Sequence, residues 1–281
     1  MKKAFTIIEL LTVMSIIIIL LSILVPALNR VREYASIVQQ RSQFHSITVG
    51  LDLFHNDTGD YPPDGAGRTA SGSNVLPGAV KMAEALVGQD LMGFHKDSVF
   101  RDDFKDNTGT YLYVFPSIAQ SITDADNPQN LQSRLGPYLD GGTRLSEIYG
   151  INGESNSDVA VVICDVFKKK MDNNKTGMPI LYYKAHLGNF NPHYIGSQWY
   201  EPNGLKPFYN YSSNSGFMEE QLGTPFDNSL QHPMDERIFY DAINNPNIQL
   251  EAGRPYNPET YIILSAGPDG LYGTNDDIYN F

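Results

Sequence analysis

The strongest candidate for chemistry is a short acidic loop near the C-terminus, at residues 264–278. Besides three glycines, it contains the oxygen-bearing residues Asp269, Thr274, Asn275, Asp276 and Asp277. Ca²⁺ takes about six to eight oxygen ligands, which carboxylates and inward-turned backbone carbonyls supply. The loop lacks the spacing and the closing Glu of an EF-hand. The sequence therefore predicts a calcium site of another kind, with a solvated acidic turn as the alternative.

A second candidate is Glu9, the one charged residue in the apolar run at residues 5–28. About 20 apolar residues suffice to cross a bilayer as a helix. A charged group in hydrocarbon costs about 2.5–3.5 kcal/mol, and this run contains no basic side chain. If the chain were cut after Ala4, the new amine of Phe5 in a neighbouring subunit would supply a partner for Glu9.

The hydrophobic start allows three interpretations. A secretory signal peptide cut after Ala27 would have an apolar core longer than the usual range of about 7–15 residues. An uncut signal anchor explains the length of the run but not Glu9. A basic leader peptide at residues 1–4, removed just before Phe5, explains both features.

Residues 3–10 read K-A-F-T-I-I-E-L, which resembles the cleavage and methylation motif of type IV prepilins and type II secretion pseudopilins. The resemblance implies that a prepilin peptidase cuts between Ala4 and Phe5 and methylates the new amine of Phe5. It also assigns Glu9 and Pro26 to the assembly glutamate and the transmembrane proline of that family. The residue before the cut is normally Gly, so with Ala4 we expect less efficient processing.

Apolar residues continue at helical spacing beyond the apolar run, and no proline occurs between Pro26 and Pro62. We expect one helix from Phe5 to about Asn56, with a transmembrane half at 5–28 and an amphipathic half at 29–56. The turn formers at 56–63 should end it. This exit is similar to the one that follows the long helix in G-type, or major, pseudopilins, as are the segments 136–139 and 177–183.

The remaining residues, 57–281, should form one periplasmic or extracellular globular domain. Apolar content predicts a short helix at 81–92 and strands at 111–115, 159–163, 180–183 and 261–264. The expected fold class is α+β, with the long helix packed on a C-terminal antiparallel sheet, and the resemblance makes this a pilin-like fold. Residues 184–250 match no segment of the family and are expected to form a packed, loop-rich insertion.

The resemblance extends to the acidic loop, because major pseudopilins have a calcium loop at their C-terminus. It implies that Asp269 and Asp277 are side-chain ligands and that Ala266 contributes its backbone carbonyl. Asp276 or Thr274 could contribute further oxygens. The loop is shorter than most in the family, which leaves the ligand set open.

No motif in the sequence indicates catalysis. A phosphate-binding loop, an H-E-x-x-H zinc motif and a G-x-S-x-G nucleophile elbow are all absent from the sequence. Cys164, the single cysteine, follows an apolar strand and is expected in the core rather than at a nucleophile site. The net charge of −12 argues against nucleic-acid binding, since no basic surplus exists to neutralise phosphates.

We therefore expect a structural filament subunit rather than an enzyme, similar to a major pseudopilin of type II protein secretion. The expected partners are other copies of this chain, prepilin peptidase, other pseudopilins, the inner-membrane secretion platform and the membrane. The chain would be a single-pass protein of a bacterial inner membrane with its C-terminal domain in the periplasm. After assembly it would belong to a periplasmic or surface filament.

Three alternatives remain at the level of sequence. A type IV pilin or another surface-fibre subunit would share the N-terminus. A minor pseudopilin at the filament tip would do so too. A membrane-anchored periplasmic binding protein or hydrolase would keep its anchor uncut and would need a site within residues 184–250.

Overall fold

The computed structural model describes most of the chain. The described residues are 7–65, 76–101, 103–115, 118–140, 143–149, 159–167, 169–171, 174–186, 188, 190–195, 198–200, 206–216, 218, 232–248 and 253–281. The predicted leader and its cleavage point, Ala4 and Phe5, lie outside them. Contacts between residues divide the chain into two units, Met1–Gln40 and Arg41–Phe281.

Six helices and eleven short strands are found in the described part of the chain. The helices are α1 (Ile7–Thr58), α2 (Gly78–Val87), α3 (Ala119–Ala125), α4 (Pro128–Gln132), α5 (Ser212–Gly216) and α6 (Glu236–Ile243). The strands are β1 (Phe94–His95), β2 (Arg134–Leu135), β3 (Leu145–Tyr149), β4 (Val159–Ile163), β5 (Lys169–Met171), β6 (Asn174–Thr176), β7 (Leu181–Lys184), β8 (His193–Ile195), β9 (Gln198–Tyr200), β10 (Tyr261–Ser265) and β11 (Ile278–Tyr279).

Helix α1 has 52 residues, which corresponds to about 78 Å at 1.5 Å per residue. It confirms the predicted long helix and continues two residues past the predicted end. Among the described residues it is the one helix that is long and apolar enough to cross a membrane, and its most apolar window is fully exposed. A signal sequence near an N-terminus passes the same test of length and composition.

The C-terminal end of α1 is fixed by a glycine. Gly59 has a φ of +85°, and its N–H donates to the carbonyl of His55 at 2.8 Å. The hydroxyl of Thr58 donates to the carbonyl of Phe54, also at 2.8 Å. A left-handed glycine after the last helical residue is a common helix stop, and the two prolines at 62–63 prevent the helix from resuming.

The centre of the second unit is an antiparallel three-stranded sheet in the order β11-β10-β7. The hairpin β3-β4 joins it through the segment after β4, where Cys164 bridges to Pro179. There the N–H of Ile180 donates to the carbonyl of Ile163 at 2.8 Å. The predicted strands at 159–163, 180–183 and 261–264 are thereby confirmed, and the architecture is α+β.

One face of this sheet packs against α1 and α2. Side chains of α1 at helical spacing are buried there, as the pattern of apolar residues predicts: Phe44, Ile47 and Leu51. They share a core cluster with Ile180 and Ile263 of the sheet region. Helix α2 is buried along its whole length. The part of α1 from Phe44 to Leu51 therefore belongs to the globular core.

The other face of the sheet is covered by the insertion at 184–250. Successive side chains of a strand point to opposite faces, so Tyr183 and Leu264 lie on the side away from α1. Their core cluster contains these insertion residues: Tyr209, Met218, Met234, Phe239, Tyr240 and Ile243. The ring of Phe239 lies 4.5 Å from that of Tyr183 between centroids. The described part of the insertion thus forms a second layer of the core.

The predicted strand at 111–115 is wrong. Tyr111 makes only an isolated bridge to Lys105. The N–H of Val114 donates to the carboxylate of Asp90 at 3.0 Å, and the N–H of Phe115 donates to the hydroxyl of Ser121 at 2.9 Å. Because side chains satisfy these backbone groups, no strand ladder forms, although the segment is as apolar as a strand.

The insertion provides a test of this two-sided core. We expect Phe239→Ala to lower the free energy of unfolding by about 3–5 kcal/mol, because a fully buried aromatic ring is lost. Ile238→Ala changes the next residue of α6, which is 38% exposed, and should stay within about 0.5 kcal/mol of wild type. Urea unfolding of the full-length protein in detergent measures both values. Equal effects of the two substitutions would contradict the assignment.

Candidate functional site

The acidic loop connects two paired strands. β10 ends at Ser265 and β11 begins at Ile278, and these two residues pair directly across the base of the loop. Gly267 has a φ of +65°, and a Cβ on it would lie 2.2 Å from the backbone oxygen of Asp276. Only glycine allows this close approach, so the local sequence fixes the tight path of the loop.

The carboxylates of the loop organise its own backbone. Oδ1 of Asp269 accepts the N–H of Leu271 at 2.8 Å, and Oδ2 of Asp276 accepts the N–H of Asp269 at 2.9 Å. Oδ2 of Asp277 accepts the N–H of Gly273, also at 2.8 Å. The predicted ligand Thr274 donates its hydroxyl to Asp276. The three predicted aspartates therefore lie in one compact, internally hydrogen-bonded turn.

The second oxygen of Asp277 is not used in this way. Oδ1 is buried and makes no hydrogen bond to any described residue. Burial raises the pKa of Asp277 to about 7, and the negative charges of Asp276 and Asp269 add to this effect. Buried polar atoms are nearly always hydrogen-bonded. An unsatisfied carboxylate oxygen among like charges is an arrangement that a cation would stabilise.

The predicted calcium ligands do not form a ready-made cage. Ala266 is fully buried in the same loop. However, the described residues include no group of three or more His, Cys, Asp or Glu side chains placed to hold a metal ion. Since the carboxylates are engaged with N–H groups, a bound ion would need backbone carbonyls or water for most of its ligands. The donor chemistry fits Ca²⁺, and the orphaned oxygen of Asp277 is the observation that favours it.

A buried acid outside the loop, to which no sequence motif points, supports the first turn of the loop. The hydroxyl of Ser265 donates to Oδ2 of Asp165 at 2.8 Å and accepts the N–H of Gly267 at 3.2 Å. Oδ1 of Asp165 accepts two further N–H groups, from Phe167 and Met178. Burial nevertheless dominates and raises the pKa of Asp165 to about 7.

The far end of the insertion also contacts the loop. The N–H of Tyr272 donates to Nδ1 of His232 at 3.3 Å, and the N–H of Met234 donates to the carbonyl of Tyr272 at 2.9 Å. Burial lowers the pKa of His232 to about 4, so its ring is neutral at physiological pH. No sequence signal points to His232, because its role depends on a contact with a residue 40 positions away.

The second set of predicted site residues lies on α1. Glu9 is in its first described turn and is exposed, and its backbone carbonyl accepts the hydroxyl of Thr12 at 3.0 Å. Pro26 lies inside the helix. Proline has no N–H, so it cannot donate to the carbonyl of Ser22 one turn earlier. The helix nevertheless continues without a break to Thr58.

Cys164 is fully buried, as expected for a core residue. Nε2 of His186 lies 3.0 Å from Oδ1 of Asp64. Comparison of the chain with protein-family models, with curated proteins and with solved structures yields no match.

The pKa of Asp165 predicts how stability depends on pH. Its folded pKa of about 7 lies above the ordinary value. Between about pH 4 and pH 7, the folded state therefore keeps a proton that the unfolded chain has already released. This carboxyl therefore lowers the free energy of unfolding as pH rises through that window, by at most about 1.4 kcal/mol per pH unit. We expect Asp165→Asn to flatten the profile.

Urea unfolding between pH 4 and pH 8, with a chelator present, measures the profile. Asp241→Asn is the control, because Asp241 is an exposed carboxyl of α6 and should leave the slope unchanged. If Asp165→Asn and Asp241→Asn give the same slope, burial of Asp165 does not cause the pH dependence.

Proposed function

We propose that this chain is the structural subunit of a pilin-type filament, most similar to a major pseudopilin of type II protein secretion. The observation that carries the proposal is Glu9 within an apolar segment, just after a short basic leader. That segment belongs to a helix long and apolar enough to cross a membrane. A filament would place the carboxylate of Glu9 beside the amine of an adjacent subunit, whereas neither a plain anchor nor a signal peptide accounts for an acidic residue at this position.

The globular unit supports this proposal through its packing. The second half of α1 packs on an antiparallel sheet through Ile47 and Leu51, which are fully buried. This is the helix-on-sheet arrangement that a pilin-like fold requires. Because this part of the helix is packed in the core, a movement of it also moves the globular unit.

In the proposed assembly, the apolar helices leave the bilayer and bundle in the filament. Each Glu9 carboxylate neutralises the amine of Phe5 on an adjacent subunit, which fixes the axial position of each added copy. Leaving one charge buried without its partner costs several kcal/mol, so misplaced subunits are disfavoured. The partners implied are prepilin peptidase, other pseudopilins and the inner-membrane platform, with the C-terminal domain in the periplasm.

We propose further that the acidic loop binds Ca²⁺. Asp269 and Asp277 would contribute side chains, Ala266 its carbonyl, and Asp276 or Thr274 additional oxygens. A bound ion supplies the positive charge that this group of carboxylates lacks. The orphaned Oδ1 of Asp277 supports the proposal, and the chain's own hydrogen bonds already hold the loop in shape.

Processing is the decisive test of the filament proposal. When the full-length chain is expressed in a bacterium that contains prepilin peptidase, we expect a mature protein that begins at Phe5 and carries one N-terminal methyl group. The physical reason is that only removal of residues 1–4 creates an amine at the end of the apolar helix. Intact mass and N-terminal sequencing of membrane-extracted protein decide this. A mature chain that begins at Met1 or Leu28 would refute the proposal.

Glu9→Gln separates processing from assembly. It keeps the leader, the cut and the helix but removes the carboxylate, so the mature mass should follow the wild-type pattern. We expect the variant to stay in the membrane fraction and to lose at least about 90% of sedimentable polymer, since several kcal/mol of pairing is lost per subunit. Glu33→Gln, which removes an exposed carboxylate later on α1, is the control and should polymerise normally.

The calcium proposal has an independent readout. We expect EGTA to lower the melting temperature of the full-length protein by roughly 5–10 °C relative to Ca²⁺ at about 100 times its dissociation constant. The reason is that a ligand bound only to the folded state stabilises it. Differential scanning calorimetry in detergent measures the shift.

Two substitutions sharpen that measurement. Asp277→Asn should abolish the response to Ca²⁺, because it removes a charged ligand, whereas Asp241→Asn on the exposed side of α6 should retain it. A melting temperature that is the same with EGTA and with Ca²⁺ would exclude the calcium site and leave the filament proposal intact.

A further inference from the structure

A cavity of about 960 Å³ opens where the insertion meets the exit of α1. Its lining includes Lys184, His186, Lys206 and Asn210, together with the apolar side chains of Pro207 and Phe208. All of them belong to the second unit. The volume is in the range of small-molecule sites, which are about 300–1,000 Å³ and combine apolar walls with a few convergent polar groups. Neither filament assembly nor the acidic loop uses this cavity.

The acidic groups in the lining already have partners. Oδ2 of Asp60 accepts Nζ of Lys184 at 2.5 Å, and its Oδ1 accepts the N–H of Tyr61 at 2.8 Å. Glu259 is highly exposed and lies 3.6 Å from Arg254. The carboxylate of Asp60 is therefore engaged within the protein, whereas 3.6 Å is too long for a hydrogen bond and the carboxylate of Glu259 is left to solvent.

The donor groups in the lining are not satisfied in the same way. Oδ1 of Asn210 accepts from the N–H and the hydroxyl of Ser212, which leaves its NH₂ group without a partner among the described residues. Within the same part of the chain, Lys206 forms no ion pair. Nδ1 of His186 likewise makes no hydrogen bond to a described residue, since the ring bonds only through Nε2. At Lys206 and Asn210 the unused capacity of the cavity is thus that of hydrogen-bond donors, and Nδ1 of His186 is a further donor when the ring is protonated.

The carboxylate of Asp64 favours the protonated form of His186. Its Nε2 lies 3.0 Å from a carboxylate oxygen of Asp64, whose side chain is 1% exposed. The hydrogen bond to Asp64 raises the pKa of His186 above its ordinary value, with Lys184 opposing the shift. About half of the ring is exposed. The imidazole of His186 and the ammonium of Lys206 therefore line the same cavity.

We propose that this cavity binds a small organic anion, with its carboxylate received by His186, Lys206 and Asn210 and its apolar body placed against Pro207 and Phe208. Hydrogen bonds between charged donors and a carboxylate are about twice as strong as neutral ones. Contact with the apolar side chains adds binding free energy in proportion to the apolar area that the ligand buries, and it does not require a particular ligand shape. The ligand class is thus a monocarboxylate with a planar or aliphatic body.

Phenylacetate and phenylacetamide form a matched pair of probes, because they share shape and size and differ in charge. We expect phenylacetate to bind to the full-length protein in detergent, with phenylacetamide at least about tenfold weaker, as loss of a charge-assisted hydrogen bond implies. Saturation-transfer NMR and calorimetric titration measure the two affinities. Equal affinities, or no binding of either probe, would overturn the proposal.

Variants locate the binding. Lys206→Gln removes the charge of an exposed side chain and should weaken phenylacetate about three- to tenfold, whereas Lys96→Gln, also exposed and absent from the lining, should not change it. His186→Gln keeps a side-chain donor towards Asp64 but removes the protonatable ring, and we expect about tenfold weaker binding. Circular dichroism confirms that each variant is folded. Wild-type affinity in both the Lys206 and the His186 variants would overturn the proposal.

Discussion

The arrangement of the globular unit depends on one constraint: the central sheet is apolar on both faces, and each face must be removed from water. Antiparallel sheets often leave one face solvated, yet β10 is buried at every position. Ile263 faces the cluster formed with α1 and α2, whereas Leu264 faces the cluster formed with the insertion. Both covering layers, the helices and the insertion, are needed, because exposing either face of the sheet to water costs about 25 cal/mol for each Å² of apolar surface.

Two-sided burial also explains why polar groups occur deep in the unit. Segments that wrap both faces carry backbone N–H groups into the interior, and those groups need acceptors. Asp165 provides them for two N–H groups. Asp90 does so for Val114 and pairs with Arg134 at 2.9 Å, with both side chains 4% exposed. These buried acids accept hydrogen bonds from backbone N–H groups that would otherwise pair in strands. Burying a carboxylate costs free energy, and the raised pKa of Asp165 reflects that cost.

The order of apolar and polar residues along the chain was enough to predict the long helix and the main strands. It was not enough to predict contacts between residues far apart in the sequence. α1 could be predicted because the 3.6-residue periodicity and the absence of proline after Pro26 act within the segment itself. The segment 111–115 has the same apolar content as a strand, but the N–H of Val114 is taken by the side chain of Asp90, 24 residues away. The acidic loop was visible as local composition. Asp165 was not, because its relevance arises from a hydrogen bond to Ser265, 100 residues away.

The contacts that hold the acidic loop limit what a bound ion can do there. Its backbone is already held by its own carboxylates, by the pairing of Ser265 with Ile278 and by the contact of Tyr272 with His232. A cation is therefore not needed to create the turn. What remains uncompensated is charge: Oδ1 of Asp277 is buried beside two other acids, and these raise its pKa together with burial. A bound Ca²⁺ would act by balancing that charge, and because the loop joins β10 to β11, the gain would stabilise the sheet on which both covering layers pack.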